Sequence, residues 1–340
     1  MRKLLVATAL VLTAFGASAS NFRGADQVYI PIAGHAGGAS GLFISDVYLA
    51  NLTPDTVTVS AIYQPFNVPT NPNDLNSIGQ NIASTIELAP FERKEIKDFF
   101  PNGLGVQSGF GLVILNGCKK GTDCGPATQD EYGYSPNFRA ISAESRIYST
   151  PNPPPANPPT TGQLFSGIPW YHFVSENQAP IGLDKVFLTG VTHTGTQGAG
   201  TFRTNFGFIN ASQYSTTTIV ATLYKGGTAT ANKIAENQIS LTPLENRQIN
   251  FPGLFPTAPL GDNYFVIVEQ RNSAAIPDAP ASCQPKGCPA FLTYGSVLDN
   301  QTGDATTLEA QYMSELSPAA LEAIYGSGAG KAIVRRSVRH

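Results

Sequence analysis

Apolar and polar residues alternate along much of the chain, and this pattern predicts β-strands. In residues 56–63 (TVTVSAIY), Val57 and Val59 fall on one side of an extended chain, and Thr58 and Ser60 fall on the other. A period of two indicates a strand with one face in a core and the other in water. Six more segments of the first half follow this pattern: 27–33, 42–51, 81–88, 93–99, 110–116 and 138–149. We therefore expect about seven strands there.

The pattern then occurs a second time. Residues 239–249 (ISLTPLENRQI) repeat the order of apolar, proline, glutamate and basic positions found in residues 86–96 (IELAPFERKEI). Other matches follow in the same order: 27–43 with 185–202, 59–63 with 220–224, 110–116 with 264–270, and 140–147 with 291–298. Matches that keep their order over most of a chain indicate an internal duplication. The sequence thus predicts an all-β protein with two tandem antiparallel sandwiches.

The corner at Pro90 has two interpretations. Strands on both sides of a turn fit the alternation of the flanking residues. A capped helical turn also fits, because proline suits a first helical position and Glu92 follows two residues later.

The first residues resemble a secretory signal peptide. Arg2 and Lys3 precede an almost wholly apolar run, 4–15, and Ala17-Ser18-Ala19 forms a small-residue cleavage site. This arrangement predicts cleavage after Ala19 and a secreted, periplasmic or cell-surface protein. The apolar run is short for a transmembrane helix and no second long one follows, so we expect no transmembrane segment.

The whole chain is divided accordingly into five parts. A run of six prolines within residues 151–159 favours an extended linker, although a long surface loop would have the same composition. A serine, a proline and a following glycine delimit a short helix near the C-terminus, before a basic tail. The parts are a signal peptide (1–19), repeat 1 (20–150), a Pro-rich linker and interface segment (151–184), repeat 2 (185–312), and a helix with a flexible tail (313–340).

Composition and charge limit the class of protein. Gly (33 residues) and Pro (26 residues) are abundant and only 13% of residues are charged, which fits a β-protein with many turns. Acidic residues (24) outnumber basic residues (21), and several basic ones lie in the leader and the tail. Clustered bases that could neutralise phosphates are missing from the body, so nucleic acid is not an expected partner.

Three stretches resemble a known type of repeat. They are V-Y-I-P…H-x-G…F-x-S-D-V-Y-L-x-N in residues 28–51, F-R-T-N-F-G-F-I-N in 202–210, and Y-G-S-V-L-D-N-x-T-G-D in 294–304. Together they are similar to the tandem immunoglobulin-like β-sandwich repeats of exported bacterial proteins, over most of the mature chain. The resemblance implies the sandwich fold and an envelope or extracellular setting, and it implies no activity. The Cys…Trp…Cys signature of antibody domains is missing.

The four cysteines form two close pairs in equivalent connections of the two repeats: Cys118 with Cys124, and Cys283 with Cys288. In an exported chain, this spacing predicts two local disulfides. A zinc site with four thiolates is the alternative.

Candidate chemistry is sparse. His35 and His193 occupy matching places in a Gly-rich loop, and this recurrence favours a structural role over a metal or catalytic one. Residues 299–304 (DNQTGD) have oxygen ligands as in a calcium loop, but they also suit a β-turn. Asn51, Asn210 and Asn300 lie in glycosylation sequons, which turn chemistry also explains. We expect no catalytic residue, metal or cofactor.

The function expected from these observations is that of an exported, non-catalytic, adhesion-like structural or interaction protein. Its partner would be a protein or glycan surface, held by exposed edges or loops. A glycan- or peptide-binding module is the alternative, with Trp170 as an aromatic candidate, although we expect Trp170 to be packed. A secreted hydrolase is a third option.

Overall fold

The computed structural model describes residues 24–38, 41–68, 84–129, 135–151, 162–181 and 184–312. The predicted signal peptide and C-terminal helix lie outside these residues, as does most of the proline run. The strands are β1 (Gln27–Gly38), β2 (Gly41–Asn51), β3 (Val57–Pro65), β4 (Ser84–Leu88), β5 (Arg93–Ile96), β6 (Gly109–Lys119), β7 (Ile141–Thr150), β8 (Gly162–Ser166), β9 (Ile168–Pro169), β10 (Lys185–His193), β11 (Phe202–Asn210), β12 (Ser215–Lys225), β13 (Lys233–Leu241), β14 (Asn246–Asn250), β15 (Gly261–Ala275), β16 (Phe291–Asp299), β17 (Ala305–Glu309) and β18 (Gln311–Tyr312).

Within the described residues, helical structure is confined to short turns, which connect strands. They are Phe100–Leu104, Pro126–Thr128, Trp170–His172, Glu176–Ile181, Thr230–Asn232, Phe251–Leu254 and Ala281–Cys283. Among the described residues, no helix is long and apolar enough to cross a membrane. The all-β class expected from the alternation is confirmed.

Each repeat contains the same two antiparallel sheets. In repeat 2, sheet I has the order β13-β12-β15-β10-β18 and sheet II has the order β14-β11-β16-β17. In repeat 1, sheet I is β4-β3-β6-β1-β9 and sheet II is β5-β2-β7-β8. The two sheets of repeat 1 are continuous, because the end of β1 pairs with the start of β2 from His35 to Gly38.

The described residues contain nine strands in each repeat, two more than expected. The additional pair in repeat 1 is β8 and β9, which bond to β7 and β1. These strands lie within the segment predicted as linker and interface, so that part belongs to the sandwich of repeat 1. Their counterparts in repeat 2 are β17 and β18.

Hydrogen-bond register corrects the alignment of the two repeats by one residue at β3, β6 and β7. At β3, Val59 corresponds to Ile219 and not to Val220. Val113 pairs with Ile30, and Val266 pairs with Leu188, so Phe110 corresponds to Asn263. By the same comparison, Glu144 in β7 corresponds to Tyr294 in β16.

A separate core lies between the two sheets of each repeat. In repeat 1 it contains Ile30, Val47 and Leu115, and in repeat 2 it contains Leu188 and Phe206 with their neighbours. These residues occupy alternate positions of their strands, as the period of two predicts. A third cluster, described below, lies between the repeats.

The repeated motif forms the corner at which the chain passes from sheet I to sheet II. Phe91 and Leu244 adopt left-handed conformations, with φ of 56° and 54°. In each copy a glutamate turns back to accept a backbone N–H: Glu92 from Ala89 at 2.6 Å, and Glu245 from Thr242 at 2.8 Å. The corner is therefore a tight turn between strands, and the helical alternative is wrong.

Candidate functional site

The cysteines form the two predicted local pairs. The sulfur atoms of Cys118 and Cys124 are 2.03 Å apart, and those of Cys283 and Cys288 are 2.00 Å apart. Each pair closes the loop that follows the central strand of sheet I, so the four sulfur atoms do not converge as a zinc site would need. Two disulfides are typical of proteins in an oxidising compartment outside the cytoplasm.

Both recurring histidines lie on strands and not in loops. His35 is in β1, where its Nδ1 is 2.7 Å from Oδ1 of Asp98. The backbone N–H of Asp98 donates to the buried Asp46 at 2.9 Å, and the Tyr148 hydroxyl donates to the same carboxylate at 3.2 Å. Burial, together with the charge of Asp46, raises the pKa of Tyr148 to about 12. These hydrogen bonds connect the segment that follows β5 to strands β1 and β2.

In repeat 2 the contact between histidine and aspartate is replaced by ring packing. His193 is the last residue of β10 and its ring stacks on Phe251, with centroids 4.7 Å apart. Phe251 occupies the position of Asp98, since each lies six residues after the glutamate of the corner. Only 4% of the His193 surface is exposed, and this burial lowers the pKa of its imidazole.

This burial predicts sensitivity to mild acid. The unfolded chain binds a proton at His193 near the ordinary pKa of 6.5, whereas the folded chain resists protonation. Stability should therefore fall as the pH drops below about 6.5. We expect the melting temperature of the wild type to decrease more between pH 7.5 and pH 5 than that of His193→Phe, which keeps the stacking on Phe251. Equal decreases, measured by circular dichroism, would contradict this prediction.

The sequon asparagines at the repeated position hold turns. Asn51 donates to the carbonyl groups of Asp55 (2.7 Å) and Ala89 (2.8 Å), and Asn210 donates to those of Ser215 (2.7 Å) and Thr242 (2.9 Å). Both side chains are buried. One bond of each amide group, to Ala89 O or to Thr242 O, holds the backbone of the corner motif.

The acidic segment 299–304 forms the hairpin between β16 and β17. The Asp299 carboxylate accepts the N–H groups of Gln301 and Thr302, at 2.7 and 3.2 Å. Asn300 bonds to Gly195 O and to Thr201 Oγ1, both at 3.0 Å. The Asp299 bonds are those of an ordinary turn, and the Asn300 bonds connect this turn to residues 195–201.

Trp170 is less packed than expected. Its indole N–H donates to Asp26 at 2.8 Å, but 48% of its surface is exposed. Phe173, three residues later, fills the structural role, because its ring packs edge-on against Tyr29 with centroids 4.6 Å apart.

The two repeats meet through different sheets. The outer face of sheet I of repeat 1 packs against the outer face of sheet II of repeat 2, and we call this contact the junction. Its buried members from repeat 1 include Tyr29, Leu112 and Ile114, and those from repeat 2 include Ile209, Leu292 and Tyr294. The backbone N–H of Asn67 also donates to Asn246 O at 2.7 Å, and Val174 and Phe291 exchange backbone hydrogen bonds. The junction is thus a packed interface with its own apolar cluster.

A cavity of about 270 Å³ lies beside the junction. Its walls come from both repeats and are mainly apolar, with Phe165 and Ile168 on one side and Leu292 and Tyr294 on the other. Ser166 donates to Glu309 across it at 3.1 Å. The shape of this cavity therefore depends on how the two repeats stack.

Within the part of the chain that the structure describes, the equivalent face of sheet I in repeat 2 has no such cover from another sheet. Phe187 pairs with Ile267 there, as Tyr29 pairs with Ile114 in repeat 1. Tyr29 and Ile114 are each 4% exposed, whereas Phe187 and Ile267 are only partly buried. Repeat 2 thus presents to the surface a sheet face that repeat 1 buries.

Three bulky positions of this face are small or polar in repeat 2. Ile32, Phe66 and Phe110 pack in the junction. Their counterparts by strand register are Gly190, Gly226 and Asn263, which are exposed. Because the side chains at these three positions are smaller in repeat 2 than in repeat 1, an open groove of about 330 Å³ remains. We call it the aromatic groove; it is lined by Phe187, Thr189, Gly190, Thr228, Asn263, Tyr264 and Phe265.

The walls of the aromatic groove are preorganised. Phe265 stacks on Tyr224 of the neighbouring strand, with centroids 5.3 Å apart and an interplanar angle of 11°. At the rim, Nζ of Lys225 lies 3.7 Å from Oδ1 of Asp262 and 5.0 Å from the centroid of the Tyr264 ring. The charges of Lys225 and Asp262 therefore compensate each other. The groove itself therefore offers aromatic surface and uncharged polar groups.

Sequence reasoning did not identify the aromatic groove. Its signal is present in residues 185–188 (KVFL) and 264–268 (YFVIV), in which apolar residues occupy both faces of the strand. An apolar outer face indicates a strand that is covered or that binds.

Comparisons with known proteins assign no family. No family model matches the chain, and no curated protein matches it. Among solved structures, the β-glucuronidase 2 of Bacteroides uniformis bound covalently to cyclophellitol-6-carboxylate aziridine is similar at a TM-score of 0.15 and 9% identity, over 85% of this chain and 26% of that one. A crystal structure of the Bacteroides uniformis β-glucuronidase shares 8% identity with the same TM-score and coverage, and a calcium-binding mutant shares 9%. The chain thus spans about a quarter of the length of these proteins, and a TM-score of 0.15 identifies neither a shared fold nor a shared activity.

Proposed function

We propose that this chain is an exported, non-catalytic interaction protein, built from two immunoglobulin-like sandwiches, that binds a surface partner through the aromatic groove. The observation that supports this proposal is the contrast between two equivalent sheet faces. One is buried in the junction, and the other is open and lined by partly exposed aromatic rings. Exposed aromatic surface of this kind marks binding sites more often than inert surface.

The rigid stacking of the repeats supports this role. The junction joins the repeats by a packed cluster and by backbone hydrogen bonds, so repeat 1 is a firm base for repeat 2. The groove lies on paired strands, which position side chains more accurately than loops do.

Quantitative adsorption tests the proposal. The disulfide-bonded mature protein is titrated onto isolated bacterial cell envelopes, and the bound fraction is measured by fluorescence. We expect saturable binding that decreases about tenfold in affinity in Phe265→Asn, because one buried aromatic contact contributes on the order of 1 kcal/mol or more. The control, Phe91→Asn, changes an aromatic residue that is 68% exposed on repeat 1 and should bind like the wild type. Equal binding by Phe265→Asn would contradict the assignment of the groove.

A further inference from the structure

We infer that the ligand of the aromatic groove is an uncharged carbohydrate chain. This inference rests on the proposed function and names the class of partner. It follows from three properties of the groove: its rings, its free polar side chains and the pairing of charge at its rim.

The rings supply a flat apolar surface. Phe265 is held upright by its stacking on Tyr224, so one face of its ring is turned away from Tyr224 and toward the groove. Phe187 lies on the neighbouring strand β10. A pyranose ring carries axial C–H groups on one face, and this face packs on the electron-rich face of an aromatic ring.

The polar side chains are free to bind. Thr189, Thr228 and Asn263 line the groove and are exposed, and none of their side chains makes a hydrogen bond within the described part of the chain. Hydroxyl and amide groups both donate and accept, as sugar hydroxyls also do. Their positions beside the rings suit a ligand with one apolar face and a polar periphery.

Charge argues against an anionic ligand. Lys225, the cation at the rim, is engaged by Asp262 and by the Tyr264 ring. The chain as a whole carries a formal net charge of −3. An acidic polysaccharide would therefore meet no free positive group among the described residues that line the groove.

An extended peptide suits the groove less well. The groove lies on the face of sheet I, where β12 and β15 are paired on both sides and β10 is paired with β15. A peptide strand would find no free ladder of backbone donors and acceptors, which is the usual source of affinity in strand addition.

Isothermal titration calorimetry with defined probes tests the inference. The probes are cellohexaose, maltohexaose and hexa-N-acetylchitohexaose, with a proline-rich decapeptide and an extended β-type decapeptide as alternatives. Phe265→Asn removes the ring, and Asn263→Gly removes the amide while tolerating the positive φ of 53° at that position. Phe91→Asn is the matched surface control.

We expect at least one oligosaccharide to bind, with affinity about tenfold weaker in Phe265→Asn and unchanged in Phe91→Asn. Binding that Phe265→Asn leaves intact would overturn the inference. Peptide binding without oligosaccharide binding would overturn the ligand class and leave the proposed interaction function standing. If no probe binds, the inference fails; if Phe265→Asn also adsorbs to envelopes like the wild type, the proposed function fails with it.

Discussion

Replacing Tyr294 with alanine is expected to destabilise the protein by about 3–5 kcal/mol, because it removes a fully buried aromatic ring from the junction. The Tyr294 ring is 2% exposed and packs edge-on against Phe165 of repeat 1, with centroids 5.4 Å apart. It also lies flat on Gly207, where an added Cβ would come within 2.0 Å of the ring. No neighbouring side chain can fill this space from the glycine side.

Urea denaturation followed by tyrosine and tryptophan fluorescence measures this loss. Glu144→Ala is the control, since Glu144 occupies the equivalent position on the outer face of repeat 1 and is only partly buried. That variant should change the free energy of unfolding by less than about 0.5 kcal/mol. A similar small effect for Tyr294→Ala would show that the junction contributes little to stability.

Removing the glutamate of the corner should affect the two repeats unequally. Glu245 is 1% exposed; its carboxylate accepts from the N–H and hydroxyl groups of Thr242 and pairs with Arg247. Glu245→Ala removes the acceptor of the partly buried N–H of Thr242 and the buried partner of Arg247, and we expect a cost of about 3 kcal/mol.

The duplication provides the control for this substitution. Glu92 accepts from Ala89 in the same way, but its side chain is 35% exposed and its lysine partner is 3.8 Å away. Water can replace these contacts, so Glu92→Ala should cost about 1 kcal/mol or less. The two single variants are compared by thermal and urea denaturation. Equal losses of unfolding free energy would contradict the view that the contribution of each glutamate depends on its burial and not on the motif itself.

The fold was largely predictable because its strands alternate and its corner motif is repeated. Residues such as Val57 and Val59 do enter the core, as their spacing indicates. The strands β8 and β9 were missed because they are short and directly follow the proline run, whose composition suggests a linker. The alignment errors at β3, β6 and β7 arose because similarity of single residues cannot set a register that hydrogen bonds determine.

The candidate site was not predictable from either repeat alone. The aromatic groove depends on Gly190 and Asn263 standing where repeat 1 has Ile32 and Phe110, and this difference has meaning only once the register is known. The histidines were placed in loops because the segment around His35 is rich in glycine, yet β1 continues through it and pairs with β2. Local composition suggested a turn, whereas pairing across the sheets decided the structure.

Because the junction joins sheet I of one sandwich to sheet II of the next, its geometry is that of an open-ended array, to which further modules could be added at either end. Tandem arrays need polar end modules to stay soluble. Glu144 and Tyr48 take the places of Tyr294 and Gly207 on the outer sheet II of repeat 1, so a preceding module would have to bury a carboxylate. The outer face of sheet II in repeat 1 is therefore not built for a second contact of the junction type.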